Sequence, residues 1–145
     1  MNPLRKGKRD ISAVRAVIDT SFWIDYGRGH VAAPEREGVE RMFRQGEAVI
    51  HQFVWLELVV GFRSPKEQRV LREFRAVSRW EPMNPADGTR AEAFAGLLRG
   101  KGLAITASDL LIMAAADRLG ATIIHHDSDF TLAFQLPEFA HLSPA

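Results

Sequence analysis

Two kinds of apolar pattern take turns along this chain. Short, largely apolar runs of the length a buried strand needs fall at residues 14–18, 47–52 and 121–126. The longer stretches between them carry apolar residues three and four positions apart, the spacing of one helix face. Behind Pro34, EREGVERMFRQG puts Val39, Met42 and Phe43 on one side and stops at Gly46. Ser64 and Pro65 open a second such stretch, in which Val70, Leu71, Phe74 and Val77 share a face. Residues 85–102 predict a helix ending at Gly100 and Gly102. Residues 105–120 predict another, capped by Thr106 or Ser108 and stopped by Gly120. FVWLELVVGF, residues 53–62, is apolar at almost every position and reaches helical length only when joined to its flanks. Residues 20–31 predict a helical turn ending at glycines, WEPMN (80–84) leaves room for a further short strand, and DSDF (127–130) reads as a turn.

Strands that alternate with helices predict an α/β domain with a parallel sheet covered on both faces. It would occupy residues 14–145 as one unit, behind a polar, basic arm at residues 1–13. No internal repeat or low-complexity segment interrupts the pattern. In such sheets, ligands sit in the crevice beyond the carboxyl ends of the strands. The residues at those ends therefore carry the functional question.

Composition narrows the class. A chain of 145 residues, 46% of them hydrophobic, can bury a core without covalent staples. The absence of cysteine excludes disulfides and thiolate metal sites and fits a reducing compartment. No apolar run approaches the ~20 residues of a membrane span, and no signal-peptide core follows the basic N-terminus. A soluble, cytoplasmic protein is the expectation. The net charge of +1 says little about partners. Basic residues gather at positions 5–9 and again as Arg63, Lys66, Arg69, Arg72, Arg75 and Arg79, which read first as a solvated tail and a solvated helix face.

The acids are more informative, because they end apolar runs or open helices. Asp19 closes the first strand. An Asp there commonly caps the next helical turn, worth ~1 kcal/mol. Glu57 stands among bulky apolar residues, where an unpaired buried carboxylate is expensive, unless it marks the one exposed stripe of its helix. Asp109 follows Thr106 by three, the form of a capping box, and a helix start at the sheet edge would aim the same carboxylate into the crevice. Asp127 and Asp129 flank Ser128 in ordinary turn chemistry, yet the preceding strand carries both to the edge that Asp19 shares.

Taken together, acids from separate segments converge where strand ends and helix starts meet. Crowded carboxylates raise one another's pKa and repel unless a cation compensates. Hard oxygen ligands without cysteine suit Mg²⁺ or Mn²⁺. Such an ion can acidify a water and stabilise charge on a phosphoryl oxygen, and two ions can clamp an in-line displacement.

The pieces VIDTSFWIDY, WLELVVG, SDLLIMAAADRLG and IIHHDSDF, in this order between about residues 14 and 130, resemble the PIN-domain family and, within it, the VapC-type toxins of bacterial toxin–antitoxin pairs. The resemblance implies a three-layer α/β/α fold, Mg²⁺- or Mn²⁺-dependent cleavage of RNA, a neutralising antitoxin and a homodimer. It makes Asp19, Glu57, Asp109 and Asp127 the acidic quartet, with Asp129 as the other occupant of the last position. Thr20 or Ser21 becomes the hydroxyl that orients the first acid or a bound water. The chain departs from the family pattern in its longer basic arm and in Phe53, where a small or hydroxyl-bearing residue is more usual.

Asp127, directly after the strand, is expected to matter more for metal binding than Asp129. An acidic crevice repels phosphate, so Arg28, Arg63 and Arg69, the arginines nearest the acids in sequence, are candidates to hold the RNA. They serve equally well as solvated charges or partners of Glu67 and Glu73. His125 and His126 are neighbours in an extended segment, so at most one could reach the acids. They are expected to be packed or solvent-facing rather than ligands, and His30 and His51 still less so. Phe22 and Trp23 have the spacing of core residues, while Tyr26 is also suited to stacking a base. Two other functions compete. A haloacid-dehalogenase-like phosphatase would use Asp19 as nucleophile, but it wants an acid where Ser21 stands and a late lysine, of which Lys101 is the only one. A non-catalytic RNA-binding module would have lost acids, and none is lost.

Overall fold

The computed structural model describes residues 14–144, and the arm expected at residues 1–13 lies outside the described residues. Strand β1 (Ala16–Ile18) leads straight into helix α1 (Thr20–Gly27), followed by α2 (Ala33–Gln45). β2 (Ala48–His51) runs without a loop into α3 (Gln52–Gly61), and α4 (Pro65–Val77) returns to β3 (Arg79–Glu81). Helices α5 (Pro85–Gly100) and α6 (Ala107–Leu119) pack on each other before β4 (Thr122–Ile124), α7 (Ser128–Ala133) and a closing 3₁₀ turn at Ala140–Leu142.

The strands form one parallel sheet in the order β3-β2-β1-β4. Every residue of β1 and β2 is buried, as a parallel sheet covered on both faces requires. The chain steps from β1 outward to β2 and β3, then returns to place β4 on the other side of β1. A crevice opens at such a reversal. Register sets what meets there: Ile18 pairs with Ile124, and the Asp19 N–H donates to the Ile124 carbonyl at 2.9 Å. Asp19 and the residues after β4 therefore leave the sheet side by side.

Local signals placed the helices. Pro34, Pro65 and Pro85 each stand in a first turn. Ser64 and Glu67 form a complete capping box. Gly46 and Gly120 close α2 and α6 at φ 70° and 64°, where a β-carbon would cost about 1 kcal/mol. The helical layer built from α1, α2 and α4 meets at Trp23, whose ring stacks 5.5 Å from Phe43 and lies 4.3 Å from Phe74. Phe22 and Trp23 are fully buried, as their spacing predicted. Tyr26 is spoken for as well: its hydroxyl donates to Glu40, and burial, then Glu40, pushes its pKa up to about 12. At the other end of the core, Phe94 of α5 meets Phe139, which with Leu142 is fully buried.

Several local expectations change. The segment after Asp19 is an eight-residue helix rather than one turn. α3 stands without its flanks because the His51 Nδ1 accepts the Phe53 N–H at 3.0 Å and caps it. β3 begins one residue before WEPMN and ends at Glu81, ahead of Pro82, which cannot donate to a ladder. DSDF does not merely turn: Asp127 caps α7. One buried ion pair has no signature in the sequence. The Arg118 guanidinium donates to both oxygens of Asp87, at 2.7 and 3.0 Å, and to Glu81 at 2.8 Å. Among the described residues, no helix is long and apolar enough to cross a membrane.

Candidate active site

Asp19 is both the end of the β1 run and the N-cap of α1. Its Oδ2 accepts the backbone N–H of Ser21 at 3.0 Å and the Ser21 hydroxyl at 2.5 Å. The capping role and a role in the crevice are thus compatible, since both bonds fall on one oxygen of a side chain buried at the switch in strand order. Thr20 turns the other way. Its hydroxyl donates to Glu57 Oε1 at 2.8 Å, joining the start of α1 to the middle of α3. The two hydroxyls divide the work: Ser21 orients Asp19, and Thr20 orients Glu57.

Glu57 does not lack water in the way its sequence neighbours suggest. The residue is exposed, and so are Leu56, Val59 and Val60 on the same helix, at 47%, 40% and 67%. Partial burial of its carboxyl nevertheless pushes its pKa up, with the field of Asp19 adding and the bond from Thr20 opposing.

Asp109 lies in the first turn of α6, behind the Thr106 cap, whose hydroxyl accepts the Asp109 N–H at 3.3 Å. Burial, then the negative charges of Asp19 and Asp127, push its pKa up to about 6. Asp127 caps α7 by accepting the Asp129 N–H at 2.9 Å. Asp109, Asp127 and Asp129 each present a carboxylate oxygen within 4.8 Å of the others. Asp129 thus joins the cluster instead of substituting for Asp127.

These donors fit a hard divalent cation. They are all oxygens, they come from two helix starts, and burial together with the neighbouring acids pushes the Asp109 carboxyl up to about 6. A cation relieves that repulsion. Asp19 and Glu57 both add to the rise of the Asp109 carboxyl, and Asp19 adds to that of Glu57.

Neither histidine after β4 belongs to the acid cluster. His125 accepts the Asp127 N–H on Nδ1 at 3.1 Å and sets its ring edge-on against Phe130 and Phe134. Burial keeps its pKa low, against the pull of Asp19 and Asp127. His126 is the unexpected one. Its Nδ1 lies 2.7 Å from Asp25 Oδ2 and its Nε2 lies 2.8 Å from Glu35 Oε1. Only the doubly protonated ring donates to both. Burial opposes that charge, but the bonds to Asp25 and Glu35 outweigh it and raise the pKa. Sequence reasoning did not single out Asp25 and Glu35, which lie 101 and 91 residues from their partner.

The arginines are not brought among the acids. Arg28 caps the far end of α1, roughly 14 Å along the helix axis from Asp19 at 1.5 Å per residue. It borders a cavity of about 350 Å³ together with Gly27, His30, Phe62, Lys66, Glu67 and Val70. Arg63 follows α3 and donates to the Val60 carbonyl at 3.3 Å, and Arg69 lies exposed on α4. Of the basic residues, Arg28 and Lys66 share that cavity wall.

The family model of the PIN domain matches residues 16–133, which include every acid of this crevice. The chain belongs to the PIN domain family. Over 122 residues it is 33% identical to Ribonuclease VapC11 of Mycobacterium tuberculosis and to VapC ribonuclease Mb1587 of Mycobacterium bovis, covering 79% of this chain and 87% of each relative. Both relatives are named as ribonucleases, and membership of the PIN family sets aside the haloacid-dehalogenase-like reading. Solved structures share the PIN fold. VapBC2 from Rickettsia felis, bound to a DNA fragment from its promoter, superposes with a TM-score of 0.73 at 19% identity, covering 90% of this chain and 96% of the other. VapBC-1 from nontypeable Haemophilus influenzae gives 0.67 at 22% identity, covering 85% and 95%. Mycobacterium tuberculosis VapC20, a sarcin-ricin loop cleaving toxin, gives 0.58 at 20% identity, covering 81% and 94%.

Proposed function

We propose that this PIN domain is a Mg²⁺- or Mn²⁺-dependent endoribonuclease and the toxin of a toxin–antitoxin pair. The observation that carries the reading is the set of carboxylate oxygens of Asp109, Asp127 and Asp129 within 4.8 Å of one another, at the crevice where Asp19 leaves the sheet. Asp19, Asp109, Asp127 and Asp129 would hold the cation, with Glu57 at its side. When bound, such an ion supplies a water of lowered pKa and neutralises charge on the phosphoryl oxygens.

The chain's own residues do the rest. Ser21 fixes the Asp19 carboxylate by two bonds to one oxygen. Thr20 holds Glu57 by Oε1, leaving Oε2 to take the proton of an attacking water. The raised pKa of Glu57 makes it a better proton acceptor for that step. Arg28 and Lys66, on one cavity wall, with Arg63 and Arg69 on the exposed surface, supply attraction for a polyanion that the acids repel.

Two partners belong to the proposal. An antitoxin is supported by the VapBC complexes among the structural neighbours. A homodimer is supported by the outward face of α3, where Leu56, Val59 and Val60 are apolar and exposed.

The test is Asp19→Asn in the full chain, assayed for cleavage of a single-stranded RNA with and without Mg²⁺. Loss of cleavage with a retained circular dichroism spectrum is expected, and chelation should silence the wild type. Undiminished cleavage by the variant would refute the site.

A further inference from the structure

The turn that carries Asp127 is tied down by a residue outside the acid set. The His126 N–H donates to the Ser21 hydroxyl oxygen at 3.0 Å, and that hydroxyl donates to Asp19 Oδ2 at 2.5 Å. A single serine thus links the Asp19 carboxylate to the backbone one residue before Asp127. The His126 ring then lies between the carboxylates of Asp25 and Glu35, at 2.7 and 2.8 Å, and meets the buried Phe22 ring edge-on with the centroids 5.2 Å apart. Asp25 belongs to α1 and Glu35 to the first turn of α2. One side chain therefore gathers α1, α2 and the turn after β4 at a single point.

The position explains why such a clamp is needed. β4 ends at Ile124, so residues 125–127 lie past the sheet ladder that would otherwise fix their backbone. Without the ring between them, Asp25 and Glu35 would be left as two facing carboxylates with no cationic group to hold them together. A ligand free to swing must be ordered at the moment of binding, which weakens binding.

We propose that His126 is a positioning residue: held between Asp25 and Glu35, its ring fixes the 125–127 turn and sets where Asp127 stands relative to Asp19. This rests on Asp19 and Asp127 being cation ligands, and it assigns their spacing to a clamp that touches neither the ion nor the RNA. Partners that orient metal ligands from behind shift metal affinity by about 10–100-fold when removed.

The experiment uses the full chain and two readouts: Mn²⁺ affinity by calorimetry, and amide hydrogen exchange of the metal-free protein at residues 126, 127 and 129. His126→Ala and the pair Asp25→Asn with Glu35→Gln should each weaken Mn²⁺ binding by about 10–100-fold and speed exchange at the turn. His126→Arg, which offers two N–H groups to the same carboxylates, should recover most of the affinity, a rescue that lost packing alone would not show. If His126→Ala fails to fold, the Asp25 and Glu35 pair decides, because it leaves every apolar contact in place. Wild-type Mn²⁺ affinity or wild-type exchange in the clamp variants overturns the proposal. A wild type that binds no Mn²⁺ overturns the cation site itself, and the exchange data then judge the clamp alone.

Discussion

Asp109→Asn should make the metal-free protein more stable. The carboxyl of Asp109 is pushed up to about 6 from an ordinary value of 3.8. A folded-state pKa above the unfolded one means that the folded chain holds this proton more tightly. Stability therefore falls as pH rises from about 4 to about 6 and stays low above that window. Each pKa unit corresponds to about 1.4 kcal/mol, so the ceiling of the penalty is about 3 kcal/mol. Part of the field from Asp19, Asp127 and Glu57 is screened by solvent at this half-buried position, which leaves about 1–2 kcal/mol. Asparagine keeps the shape and sheds the charge. Thermal unfolding at pH 8 in the presence of a chelator should show the variant about 2–8 °C above wild type, and at pH 4 the two should converge. Saturating Mg²⁺ should invert the order, because binding at 100 times Kd adds about 2.7 kcal/mol to wild type and far less to a variant lacking one ligand. A variant that melts below wild type at pH 8 without metal would refute the claim that these acids are crowded. A variant still stabilised as strongly by Mg²⁺ would refute the assignment of Asp109 as a ligand.

Other consequences lie outside the crevice. Arg118→Met should destabilise the fold by about 3–5 kcal/mol in urea, because Asp87 is 2% exposed and would lose the guanidinium that satisfies both its oxygens; a loss under about 1 kcal/mol would show the pair to be expendable. Leu56→Asp combined with Val60→Asp, at positions 47% and 67% exposed, should leave stability nearly unchanged and convert a dimer to a monomer in sedimentation. A wild type that is already monomeric would remove α3 as the dimer face.

Strands β1, β2 and β4 and the helices α2, α4, α5 and α6 were legible because each carries its own local signal: a continuous apolar run, a capping residue or proline at the start, a glycine past the end; β3, Arg-Trp-Glu, carries none. The positions of Asp19 and Asp127 just past strands β1 and β4 were legible for the same reason, since strand ends can be read without knowing which strands are neighbours. What was hidden depends on distance along the chain. Arg118 meets Asp87 and Glu81 across 31 and 37 residues, and nothing in DRLG separates a core guanidinium from a solvated one. α7 was missed because a helix cap and a turn use the same Asp and Ser chemistry, and its six residues are too few to show a period. α3 defeated the argument about Glu57 for a different reason. It is apolar on all sides, so its sequence gives no phase, and only the fold shows that Val54 and Leu58 face inward while Leu56, Val59 and Val60 face out.

The strand that ends on a carboxylate is one instance of a repeated device. Asp19 caps α1, Asp127 caps α7, and Asp109 and Asp129 lie in the first turns of α6 and α7. Each of these acids therefore stands at a helix N-terminus, where unpaired N–H groups and the helix dipole favour negative charge. Neighbouring parallel strands β1 and β4 deliver α1 and α7 with their N-termini toward one edge, and α6, which leads from α5 back into β4, brings Asp109 within reach of the same acids. The helices supply a partial counter-charge that lets the fold tolerate acids packed together before any cation arrives. Glu57 is the exception, placed in the middle of α3 and held only by Thr20. Burial pushes its carboxyl up, as it does that of Asp109, but a hydroxyl rather than a helix terminus holds it in place.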